Sequence, residues 1–152
     1  MLPAASTTRM LVDKTANPKA GGDAPLKERN CLMSEYLIGH KRAVRMEERF
    51  LANRKAMAHE KIAHLARELP RGFPMRRMYL FGSLADGNFR SFSDIDIALE
   101  GLEDKDHYRA FLAAEEIARP FRLDLVLLEE TPPSLQRKVR ERGVVIYEQR
   151  KD

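Results

Sequence analysis

The sequence predicts an α+β domain, a small mixed β-sheet with flanking helices, preceded by a long helical segment. Three observations carry this reading. A proline-free stretch from Ser34 to Leu69 repeats its apolar residues at helical spacing. Four short β-like runs follow, MRRMYLF, DIDIALE, FRLDLVLL and VVIYE. The intervals between the later runs read as helices, and strands alternating with helices indicate one mixed sheet.

Taken in order, residues 1–33 mix Pro, Gly, Ala, Ser and Thr with scattered charges and lack periodicity. They bury too little to offset the entropy of ordering and are expected to be a flexible extension. Residues 34–70 are expected to form one long helix or two consecutive ones. Met46, Phe50, Met57, Ala58, Ile62, Leu65 and Leu69 form its inward face, read as core packing rather than a cofactor box. Pro70, Gly72 and Pro74 end it. Residues 71–152 hold the sheet. Asp104 to Ala118 reads as a helix with Tyr108, Phe111 and Leu112 on one side and Pro120 closing it. Thr131 is expected to cap a last helix with proline in its first turn, Leu135 and Val139 inward and Gly143 terminating it.

Composition narrows the class. At 152 residues there is room for one domain, and 43% hydrophobic residues suffice for an ordinary core. The net charge of +4 comes from basic residues interleaved with acids, which reads as a solvated surface and argues against a dedicated nucleic-acid role. Cys31 is the single cysteine, so an intramolecular disulfide and a Cys-based zinc site are excluded. No apolar run approaches the roughly 18 residues of a membrane span, and the N-terminus lacks a secretory apolar core, so a soluble, cytoplasmic protein is expected.

The chemistry lies in YLFGSLADGNFRSFSDIDIALEG, Tyr79 to Gly101. An apolar strand runs into Gly82-Ser83, and such a turn offers free backbone N–H groups to phosphate oxygens. Glycine permits close approach, and the Ser83 hydroxyl adds a donor. After ten intervening residues come Asp94-Ile95-Asp96-Ile97, where strand alternation sends both carboxylates to one face and both isoleucines to the other. Two carboxylates about 4 Å apart repel by about 4 kcal/mol at an effective dielectric of about 20, so a semi-buried pair calls for a cation or a proton. Magnesium answers this, because it binds oxygen ligands and bridges carboxylates to substrate phosphates. Asp124 is the single acid within an otherwise apolar strand, where it either pairs with Arg122 or joins the first two acids in a two-metal site. The histidines of His59-Glu60-Lys61-Ile62-Ala63-His64 stand about 140° apart on a helix and do not share a metal.

The order Gly-Ser, ten residues, Asp-x-Asp, then a lone Asp in a later apolar strand resembles the DNA-polymerase-β-like nucleotidyltransferases, specifically the minimal nucleotidyltransferases found beside HEPN-domain toxins. The resemblance runs from about Met75 to Glu148. It implies a nucleotidyltransferase fold over residues 71–152 and phosphate contact at Gly82 and Ser83. It also implies magnesium coordination at Asp94, Asp96 and Asp124, with Asp124 metal-binding or assisting as a base. One departure stands out. The family often carries Arg where this chain has Asp86, and Arg90 in the same loop is the candidate replacement for its positive charge on the nucleotide.

What the resemblance implies for function is magnesium-dependent transfer of AMP from ATP to a hydroxyl of a partner, a HEPN-type toxin, with the chain as its AMPylating antitoxin. The alternative is an antitoxin that neutralises by binding alone. Antibiotic nucleotidylation fits less well, since such enzymes usually enclose the acceptor with a second domain. The long helix suits packing on its own sheet, a homo-oligomer seam or a partner interface equally.

Overall fold

The computed structural model describes residues 26–150, and the expected flexible extension lies outside the described residues up to position 25. The first helix, α1, spans Leu26–Gly72 and so begins earlier than the sequence pattern indicates. Internal contacts divide the chain between His40 and Lys41. In the first unit the described residues are helical throughout, with the Tyr36 ring stacked on His40 at 6.4 Å and the Ser34 hydroxyl donating to the Cys31 carbonyl at 2.7 Å.

The second unit holds the rest of α1 and then β1 (Arg77–Phe81), α2 (Gly82–Ala85), β2 (Ile95–Glu100), α3 (Asp104–Ala118), β3 (Leu123–Leu127), α4 (Pro133–Arg142) and β4 (Val144–Glu148). The sheet order is β3-β2-β1-β4. β1 pairs antiparallel with both β2 and β4, while β2 and β3 run parallel, so the expected mixed sheet is present. α3 supplies the crossover that parallel strands require.

Strand alternation divides the core into two layers. Met78, Leu80, Ile95, Ile97, Leu99, Leu125 and Leu127 pack on one face with Leu65 and Leu69 of α1 and with α3. On the other face Tyr79 and Ala98, flanked by Phe81 and Val126, meet Val139 and Leu135 of α4.

Three packing expectations need correction. Ala58, Ile62, Leu65 and Leu69 of α1 are buried, but Met46, Phe50 and Met57 are 72%, 58% and 44% exposed. The inward stripe passes through Leu51 instead of Phe50 and Ala58 instead of Met57, and a shift of one residue is about 100° of rotation. On α3, Tyr108 and Leu112 are exposed and the buried face is Ala110, Ala114 and Ala118, whose small side chains let the helix lie close to the sheet. On α4, Pro132 occupies the N-cap position, while the Thr131 hydroxyl donates to the Leu128 carbonyl at 2.8 Å and is not the cap.

Helix termini otherwise follow their chemistry. Pro70 falls inside the last turn of α1, where it forgoes its own backbone hydrogen bond, and the helix ends two residues later at Gly72. Gly143 ends α4 with its N–H on the Val139 carbonyl at 2.8 Å, and a Cβ there would collide with that same oxygen. Among the described residues the one buried charged side chain is Glu100, held by Arg140 at 3.2 Å and by the Tyr79 hydroxyl at 3.3 Å.

Candidate active site

The site begins where β1 empties into α2. Gly82 adopts φ +71°, a left-handed conformation that favours glycine. Its missing side chain matters for a second reason, since a Cβ would stand 2.8 Å from the Asp96 Cγ and overlap the carboxylate. The Gly82-Ser83 turn and Asp96 are therefore in direct apposition. Phe81, the residue before the turn, pairs with Asp96 in the β1–β2 register. No side chain caps α2, which leaves its first N–H groups for another acceptor.

The parallel register then sets Asp96 beside Asp124, one on each of two adjacent strands. Neighbouring strands lie about 4.8 Å apart, so both carboxylates leave the same face of the sheet at nearly the same height. Asp94 directly precedes β2 and is half-buried, as is Asp96. Asp124 is exposed, so the expected cost of burying it does not arise. Its alternative partner, Arg122, is also exposed and forms no ion pair with it among the described residues.

This grouping changes the acidity of Asp96. Burial, then the charges of Asp124 and Asp94, raise its carboxyl to about 6, opposed by the charge of Lys138. The order of causes matters: loss of water is the largest, and the two neighbouring carboxylates add to it. Lys138 of α4 was not among the residues singled out from sequence. The available signal was its place beside inward-facing Val139, but four basic residues within QRKVRER gave no reason to choose it.

Among the described residues no three His, Cys, Asp or Glu side chains are arranged to hold a metal ion by themselves. Two neighbouring carboxylates opening on a glycine cradle do fit an oxygen-seeking ion that takes its remaining ligands from phosphate and water. His59 and His64 are both exposed on α1. Arg90 is exposed and borders a surface cleft of about 350 Å³ with Glu47, Leu51, Asn88, Phe89 and Ser91. Neither Arg90 nor Asp86 is among the charges acting on Asp96. A separate cavity of about 240 Å³, lined by Arg76, Arg77, Glu100, Glu148 and Gln149, lies at the other end of β2 from Asp96.

No curated protein matches the chain. Solved structures similar to it include a toxin–antitoxin with AMP-PNP, at 26% identity over 58% of this chain and 74% of that one, TM-score 0.49. A mutant of the toxin–antitoxin MntA–HpeT is similar at 22% identity over 58% and 74%, TM-score 0.48. A structure described as a nucleotidyltransferase from Sulfolobus solfataricus is similar at 20% identity over 66% and 88%, TM-score 0.47. The sequence profile of the polymerase beta nucleotidyltransferases matches residues 60–152, a stretch that takes in all four strands, Gly82, Ser83 and the three aspartates. On that match, the chain belongs to the polymerase beta nucleotidyltransferase family.

Proposed function

We propose that this chain is a magnesium-dependent protein adenylyltransferase, transferring AMP from ATP to a hydroxyl of a HEPN-type toxin for which it is the antitoxin. The observation that carries the transfer chemistry is the register placing Asp96 beside Asp124, with Gly82 against Asp96. An unneutralised acid cluster of this kind, with Asp96 raised to about 6, is suited to positive charge and phosphate arriving together.

Each residue then has a task. Gly82 and Ser83 hold phosphate oxygens through backbone N–H groups and the Ser83 hydroxyl. Asp96 and Asp124, with Asp94 beside them, would hold magnesium together with phosphate and water, and the metal when bound would neutralise charge on the phosphates and make the acceptor hydroxyl more acidic. The acceptor oxygen bonds to the α-phosphorus as the bond to pyrophosphate breaks, and Asp124, the most exposed of the three acids, takes the hydroxyl proton. Arg90, exposed in the loop that follows α2, is assigned the positive charge on the nucleotide that the family resemblance expects at position 86. The acceptor is a partner protein because α4 covers only part of the face that carries the acids and leaves Asp124 exposed, so that a partner surface completes the site and excludes water.

A second reading, neutralisation by binding alone, is favoured by Asp86, an acid three residues beyond Ser83 whose charge would repel a triphosphate. One experiment separates the two: incubate the partner toxin with ATP, magnesium and either wild type or Asp96→Asn, then read intact mass and toxin activity. Transfer requires one AMP added by wild type and none by the variant. Neutralisation by Asp96→Asn as complete as by wild type, with no mass change on the partner, puts binding alone in its place.

A further inference from the structure

The face of the sheet that carries Asp96 and Asp124 is also the face that α4 covers. Val139 of α4 is fully buried there against Tyr79, Ala98 and Leu128. Successive residues of a helix are rotated by about 100°, so Lys138 and Arg140 flank Val139 on opposite sides of the line of contact. Arg140 pairs with Glu100 at 3.2 Å, which assigns its side to the far end of β2. Lys138 therefore lies on the side toward Asp96 and Asp124. Its neighbours hold it there, one by apolar packing and one by an ion pair.

We propose that Lys138 is a phosphate-binding residue of the site, its ammonium contacting the terminal phosphates of a nucleoside triphosphate held against Asp96 and Asp124. This rests on the nucleotidyltransferase reading above and names a contact beyond it. Lys138 is exposed and makes no ion pair within 4.0 Å among the described residues, so its charge is available to a ligand. Its charge reaches the acid cluster, where it favours the ionised form of Asp96 against burial and two carboxylates. Arg137, rotated about 200° from Val139, points off the sheet and borders a surface hollow with Pro133, Gln136, Arg140 and Glu141. An exposed ammonium on the side of α4 opposite Arg140, with its charge acting on Asp96, is positioned for an anion that arrives with a neutralising metal, and the terminal phosphates are the most highly charged part of such a ligand.

The test is equilibrium binding of non-hydrolysable α,β-methylene-ATP and of AMP, with magnesium, to wild type, Lys138→Gln, Lys138→Arg and Arg137→Gln. Lys138→Gln should weaken triphosphate binding about tenfold to hundredfold, the value of one charge-assisted hydrogen bond, and leave AMP binding unchanged. Lys138→Arg should recover most of the loss, and Arg137→Gln should match wild type. Unaltered triphosphate affinity in Lys138→Gln, or equal losses for triphosphate and AMP, overturns the assignment while leaving the nucleotidyltransferase reading in place. Failure of wild type to bind the triphosphate overturns both. Circular dichroism of each variant confirms that an exposed substitution has left the fold unchanged.

Discussion

Asp96 retains its proton to about pH 6, whereas an ordinary aspartate in the unfolded chain releases it near 3.8. The folded state therefore binds this proton over an interval where the unfolded state does not, so the stability it contributes is full below about pH 4 and is lost as pH rises through about 6. In metal-free protein, Asp96→Asn should raise the melting temperature relative to wild type at pH 7 and do so much less at pH 4. A shift of equal size at both pH values would show that the carboxyl is not perturbed by its neighbours. The same substitution should abolish transfer, as should Asp94→Asn. At the proposed phosphate turn, Ser83→Ala should weaken triphosphate binding by about 1.5 to 3 kcal/mol, one hydrogen bond to a charged group. Gly82→Ala should cost more, because its φ of +71° strains any other residue and the added carbon meets the Asp96 carboxylate. Comparable affinities for wild type and both variants would remove this turn from the site.

Among the elements, α1 offers the sharpest contrast. Leu65 is 1% exposed and Met46 is 72% exposed, although both lie on the stripe that the sequence pattern assigns to the core. Leu65→Ala should destabilise the fold by about 2 to 5 kcal/mol through lost burial and a cavity, whereas Met46→Ala should change stability by less than about 0.5 kcal/mol. Denaturant midpoints of the two variants measure this directly, and similar losses would mean that the Met46 side of the helix is covered. On α4, Val139 anchors the helix over the face that carries the acids. Its position makes α4 part of the site's framework as well as of the core. Gly143 then permits the turn into β4, where any side chain would strike the Val139 carbonyl.

For the whole molecule, the proposed metal site would tie folding to ligand binding. A metal that binds the folded chain and not the unfolded one stabilises it by mass action, about 2.7 kcal/mol at a hundred times its dissociation constant. Magnesium with a non-hydrolysable triphosphate should therefore raise the melting temperature of wild type in a concentration-dependent way and leave that of Asp96→Asn little changed. The same rise in both proteins would place the binding elsewhere. No described helix is long and apolar enough to cross a membrane.

Much of this was determined by sequence alone, where the signal is local. The run VVIYE coincides with β4, Asp104 to Ala118 is α3 at both ends, and Leu135 and Val139 face inward as their spacing requires. Alternation by itself sends Ile95 and Ile97 into the core and Asp96 away from them, since a strand's period of two needs no knowledge of its neighbours. Other features were decided only in three dimensions. Whether Phe50 or Leu51 faces the sheet depends on about 100° of helix rotation, which the packing partner sets. Alanines rather than Tyr108 and Leu112 line the buried side of α3 because close approach to the sheet, not side-chain size, selected that face. The pairing of Asp96 with Asp124 is a parallel register between strands separated by a whole helix, and the approach of Lys138 depends on how α4 crosses that sheet. Sequence could name the acids, but which charges act on one another is a property of distance, and distance between remote segments exists only once the chain has folded.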